Sequence, residues 1–149
     1  MTLNLTKSYE KEGRLPLIGI IGGGQLARMQ AQAASRLGCQ VRTIEKTENC
    51  PAASVVHDHQ VGDWNDPATL IAWAKGCDLI TLENEFVEAD SLEKLEEAGF
   101  PVIPTSATMA TVQDKLTQKQ RLKDRGLPVP TFHSVSSKED ILAWGNELG

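Results

Sequence analysis

Apolar residues run through Leu17-Ile-Gly-Ile-Ile21 without the polar alternation of a half-exposed strand. Such a run predicts a strand buried on both faces, as in a parallel sheet. Three glycines, Gly22, Gly23 and Gly24, end it, and Gln25 to Leu37 follow with helical composition. Gln40–Glu45 has the β-branched content of a second strand, with Gly38 placed as a helix C-cap just before it. Asp66-Pro67 reads as an N-cap and a first-turn proline, opening a helix to about Lys75 that Gly76 ends. Asp78–Leu82 is a third short strand, and His57–Val61 is a further candidate. Ala89–Ala98 is an acidic amphipathic helix stopped by Gly99, and Val102-Ile103 is a very short strand between two prolines. Strands alternating with helices at this spacing predict an α/β fold, a doubly wound and mostly parallel sheet with helices on both faces.

The pattern changes near Thr105. Residues 106–125 read as helix with a break near Gln113, and Gly126-Leu-Pro-Val-Pro130 as an extended connector. Ser136-Ser-Lys-Glu139 has the spelling of a capping box that starts one more helix. The expected organisation is a polar, flexible extension over residues 1–14, a main domain over 15–112, and over 113–149 a connecting helix with the truncated start of a further domain. The last helix has only a few turns before Gly149, which reads as a cut within a larger protein.

Composition narrows the function classes. A chain of 149 residues with 40% hydrophobic and 23% charged residues is ordinary globular material. A net charge of -5 with no basic stripe argues against nucleic acid as a partner. No apolar run approaches the roughly 20 residues of a membrane span, and the N-terminal residues lack a signal-peptide core. Cys39, Cys50 and Cys77 are odd in number and show no C-x-x-C spacing, so they read as reduced thiols of a cytoplasmic protein.

Four constellations carry candidate chemistry. The strand, glycine turn and helix form an anion cradle, since free N–H groups at a helix start favour negative charge. Gly22-x-Gly24-x-x-Ala27, with Glu45 about 20 residues on, also satisfies a dinucleotide fingerprint, so an NAD(P)-binding domain is an open alternative. Thr81-Leu-Glu-Asn-Glu85 places Glu83 at the carboxyl end of the sheet, where ligands of open α/β sheets bind. A carboxylate there hydrogen-bonds a ligand hydroxyl or amine, or transfers a proton; the alternative is a solvated loop acid. Asp114 is placed to cap a helix whose first turn holds Lys115, a cation set against the helix dipole that points to an anionic partner or simply to solvent. His57-x-His59 with Asp58 and Asp63 invites a metal, but no third ligand is set by spacing, so no metal site is assigned.

Taken in order, these segments resemble the N-terminal part of the N5-carboxyaminoimidazole ribonucleotide synthetase family, ATP-grasp enzymes of purine biosynthesis. The residues that carry the resemblance are Ile18-Gly-Ile-Ile-Gly-Gly-Gly-Gln-Leu-Ala-Arg-Met29, Cys50-Pro-Ala-Ala, Val61-Gly-Asp, Thr81-Leu-Glu-Asn-Glu85, Pro104-Thr-Ser, Gln113-Asp-Lys-Leu-Thr-Gln-Lys119 and Gly126-Leu-Pro-Val-Pro130. The series spans residues 17 to 135; formate-dependent glycinamide ribonucleotide transformylase shares its layout. Ala27 stands where the family usually has glycine. The resemblance implies a Rossmann-like pre-ATP-grasp domain of a ligase that uses ATP, Mg²⁺ and bicarbonate to make carboxyphosphate and carboxylate 5-aminoimidazole ribonucleotide. It implies substrate binding by Gly24, Gln25, Leu26 and Glu83, a catalytic part for Glu83, and ATP contact by Lys115. It further implies that the metal-binding carboxylates belong to ATP-grasp domains outside these residues, that the chain alone is inactive, and it leaves a homodimer open. A stand-alone nucleotide-binding or regulatory module is the remaining alternative.

Overall fold

The computed structural model describes residues 13–148, so the extension expected over residues 1–14 lies mostly outside the described residues. Within them, Arg14 donates two hydrogen bonds to the Asp78 carboxylate, at 2.7 and 2.9 Å, and the Leu17 N–H donates to the same group at 2.8 Å. Asp78 thereby ties the entry of the first strand to the entry of the last.

Four strands form one all-parallel sheet: β1 (Leu17–Ile21), β2 (Gln40–Glu45), β3 (Asp58–Val61) and β4 (Leu79–Leu82), in the spatial order β3-β2-β1-β4. The candidate strand near His57 is therefore real and edges the sheet. Val102 makes only a single parallel bridge to Ile80, because a stretch hemmed by Pro101 and Pro104 has too few N–H donors to extend a ladder.

Helix α1 (Gln25–Arg36) joins β1 to β2, and α2 (Pro67–Ala74) joins β3 to β4. The first connection steps toward β3 and the second jumps back past β1, so the two helices cover opposite faces. On one face Ala27, Ala31 and Ala34 of α1 pack with Ile20, Val41 and Ala52. On the other, Trp73 presses so closely on β1 that a Cβ at Gly19 would lie 2.8 Å from its ring. This is why the β1 run is apolar on alternate and intervening positions alike. Asp66 caps α2 through the Thr69 N–H at 3.1 Å, with Pro67 at the first helical position, as its spelling predicts.

Helices α3 (Ala89–Glu97) and α4 (Ser106–Gln113) follow, then α5 (Lys115–Asp124) and α6 (Lys138–Leu148). The chain divides into two compact units at Ala110/Thr111. In the second unit the capping box sits one residue later than its spelling suggests: Ser137 Oγ accepts from the Asp140 N–H at 3.1 Å while Asp140 accepts from the Ser137 N–H at 3.0 Å. Asp140 displaces Glu139 because its shorter side chain also takes the Ser136 N–H and hydroxyl, both at 3.0 Å.

Candidate functional site

The strand order reverses direction between β1 and β4, which makes their carboxyl ends the topological switch point of the sheet. Gly22 follows β1 there and Glu83 follows β4. Leu82 is the last residue of β4, as the apolar run predicts, and the Glu83 N–H donates to the Ile21 carbonyl at 3.0 Å. The Glu83 side chain is thereby aimed at the glycine turn rather than at solvent.

Helix α1 has no capping side chain of its own and no acid in its first turn. Glu83, 56 residues further on, supplies both: its Oε2 accepts from the Ala27 N–H at 3.1 Å. Its Oε1 lies against Gly24, closer than a Cβ at that position would permit, and Gly22 at φ 101 passes the Glu83 Cγ less closely, at 3.0 Å from where a Cβ would stand. The glycines are needed for this approach, one for its left-handed backbone and the other for its missing side chain. Glu45 takes the next donor along: its Oε2 accepts from Gly23 N–H at 3.0 Å and its Oε1 from Lys46 N–H at 2.6 Å. The Ala52 N–H donates to the Gly23 carbonyl at 2.9 Å and closes the turn from the far side.

The anion cradle expected from the sequence is therefore already part-filled by the protein's own carboxylates. The N–H groups of Gln25 and Leu26 find no acceptor among the described residues, so a smaller set of donors stays open beside Glu83. Both side chains are exposed, Leu26 at 55%. Glu83 is half-buried and Glu85 exposed, because the strand ends before a second residue can share its side. Glu45, the acid of the dinucleotide fingerprint, spends both oxygens on backbone donors.

Lys115 lies in the second unit, as the first residue of α5, with its Nζ 3.4 Å from the Val112 carbonyl. The helix cap is Asp114, which accepts from the Thr117 N–H at 2.6 Å. That backbone hydrogen bond holds the Asp114 carboxyl below the usual carboxylate range. Lys115 is exposed on a helix start whose dipole it opposes.

The histidine pair does not converge. The His59 Nδ1 pairs with Thr43 Oγ1 at 3.0 Å and its Nε2 lies 3.2 Å from the Thr47 carbonyl, while Asp58 binds Arg42 at 2.7 Å. Among the described residues no group of three His, Cys, Asp or Glu side chains is arranged to hold a metal. No described helix is long and apolar enough to cross a membrane.

A doubly wound parallel sheet with a glycine turn facing a carboxylate at its switch point is an open α/β domain of the kind whose ligands, where they bind, sit at that edge. Residues 15–113 match the ribonucleotide synthetase preATP-grasp domain family, and the chain belongs to it. The chain is 40% identical over 119 residues to the chloroplastic phosphoribosylaminoimidazole carboxylase of Vigna aconitifolia, covering 80% of this chain and 21% of that one. It is 39% identical over 132 residues to the N5-carboxyaminoimidazole ribonucleotide synthase of Brucella melitensis, covering 89% and 36%. Among solved structures it resembles the Aspergillus clavatus N5-carboxyaminoimidazole synthase in complex with ADP and 5-aminoimidazole ribonucleotide, with a TM-score of 0.77 and 31% identity over 91% of this chain and 36% of that one. The chain thus spans about a fifth to a third of the length of these relatives.

Proposed function

We propose that this chain is the substrate-side domain of an ATP-dependent ligase that carboxylates 5-aminoimidazole ribonucleotide to its N5-carboxy product in purine biosynthesis. The observation that carries the reading is the Glu83 carboxylate held on the start of α1 at the switch point. Family membership and the ligands named for the Aspergillus relative support it.

In the proposed reaction ATP transfers its terminal phosphoryl group to bicarbonate, giving ADP and carboxyphosphate. The exocyclic amine of the ribonucleotide then takes the carboxyl group, phosphate leaves, and the amine loses a proton. Glu83 has one oxygen committed to Ala27, which fixes its orientation. Its other oxygen, beside Gly24, receives a ligand amine or hydroxyl hydrogen. The open N–H groups of Gln25 and Leu26 would take an anionic or carbonyl oxygen of the ligand. Lys115 is assigned to the nucleotide phosphates and Mg²⁺ to the same ATP. The residues described here do not make a set for the metal, and no step is routed through it.

Calorimetric titration of 5-aminoimidazole ribonucleotide into the 149-residue chain tests the substrate-side reading. Saturable binding, weakened about tenfold or more by Glu83→Gln and little changed by Glu85→Gln, is expected for a charged acceptor held by the fold. An isotherm without binding heat, or greater damage from Glu85→Gln, refutes the assignment.

A further inference from the structure

Gln30 is the polar member of a helix face that is otherwise small and apolar. Ala27, Ala31 and Ala34 are buried in α1, and Gln30, one turn after Ala27, is half-buried beside them. Its Nε2 donates to the Leu82 carbonyl at 3.2 Å, while its buried Oε1 has no partner among the described residues. An amide with a buried unsatisfied oxygen packs less favourably than a leucine of similar length, since the oxygen gives up water and gains nothing. What distinguishes glutamine at this place is its donor.

The donor meets a specific need at the end of the sheet. On the outer edge of β4, Ile80 donates its N–H to the Pro101 carbonyl at 2.8 Å and accepts from the Ile103 N–H at 2.9 Å. Leu82 presents its carbonyl to the same edge two residues later, past the end of that short partner. Gln30 takes it. The next residue is Glu83, whose carboxylate is held by the Ala27 N–H. Helix α1 thus grips the end of β4 twice from adjacent turns, once at the peptide before Glu83 and once at the Glu83 side chain.

We infer that Gln30 is a positioning residue, which sets the Glu83 carboxylate against the glycine turn by holding the Leu82 carbonyl. The inference rests on the proposed role of Glu83 toward ligand. Three variants of the 149-residue chain test it. Gln30→Glu keeps the shape and removes the donor, Gln30→Leu fills the space without polarity, and Gln30→Lys restores a donor. Amide hydrogen exchange at Ala27, Glu83, Ile20 and Thr43 is measured alongside the Kd for 5-aminoimidazole ribonucleotide.

In the Glu and Leu variants, exchange at Ala27 and Glu83 rises about tenfold and the Kd rises by a similar factor, the loss expected of one hydrogen bond. Ile20 and Thr43 stay protected, and the Lys variant behaves like the parent. Unchanged Ala27 exchange in Gln30→Leu overturns the inference, and so does an equal rise at all four amides, which would mark a plain packing role. If the unsubstituted chain binds no ribonucleotide, the functional reading fails, and the exchange comparison alone decides the positioning of Glu83.

Discussion

Gly22 and Gly24 meet the same carboxylate for different reasons, and substitution separates them. At Gly22 an alanine is strained by the left-handed backbone, φ 101, before its methyl touches Glu83. The expected cost is about 1–3 kcal/mol in urea unfolding. At Gly24 the backbone lies at φ -75, which alanine adopts freely, so only the overlap with the Glu83 oxygen matters. Gly24→Ala is expected to lose about 1 kcal/mol or less in stability, as Glu83 swings away, yet to lose ribonucleotide binding in calorimetry. Equal stability losses at the two positions would contradict this account. Cys77 gives a second residue-scale signature. Burial beside Trp73 pushes its thiol up from 9.0 to about 11. The folded state therefore favours the protonated thiol, and that contribution is whole below pH 9 and lost as pH rises toward 11. Unfolding free energy should fall by on the order of 2 kcal/mol more across this window in the parent chain than in Cys77→Ala.

At the scale of elements, helix starts separate what is local from what is not. Asp66 caps α2 and Asp114 caps α5 from the adjacent residue, and both were legible as spellings. The start of α6 was legible only to within one residue, because Ser136 and Ser137 offer the same chemistry and the choice turns on side-chain length at 139 and 140. Backbone and side-chain hydrogen bonds from Ser136 lead the causes that hold the Asp140 carboxyl below its usual range. Its contribution is present above the ordinary carboxylate pKa and lost as pH falls through the lowered one. Asp140→Ala is expected to speed amide exchange across the first turn of α6 at neutral pH, and Glu139→Ala to leave it unchanged; the reverse would restore the register read from sequence. The start of α1 at Gln25 was legible from the glycines before it, but its cap was not, since Glu83 arrives from the end of β4.

At the scale of the whole molecule, the competing ligand classes make different demands. A dinucleotide reading needs Glu45 free for a ribose hydroxyl, and here one of its oxygens holds the glycine turn at Gly23 while the other accepts from the Lys46 N–H. NAD and NADP are expected to leave the melting temperature unchanged. The ribonucleotide at a hundredfold excess over its Kd should stabilise the fold by about 2.7 kcal/mol. A saturable shift with NAD that Glu45→Ala abolishes would reverse the assignment. With no carboxylate cluster for a metal among the described residues, purified chain is expected to release no phosphate from ATP. Turnover that follows the purified chain and persists in Lys115→Ala would defeat the reading.

The order of strands and helices, the parallel sheet and the glycine turn are properties of the sequence alone, because burial on both faces of β1 and turn chemistry at Gly22–Gly24 act between neighbours. The position of Glu83 at a strand end was equally local, since it needs only the length of the run before it. Tertiary structure decided what the turn faces. Glu45 and Glu83 reach Gly23 and Ala27 across 22 and 56 residues, and Gln30 reaches Leu82 across 52. The fingerprint spacing associates Glu45 with the glycine turn, but no spacing rule encodes its bond to Gly23 or the pairings of Glu83 and Gln30. They follow from the order in which four strands lie side by side, and that order is chosen by the packing of two helix faces at once.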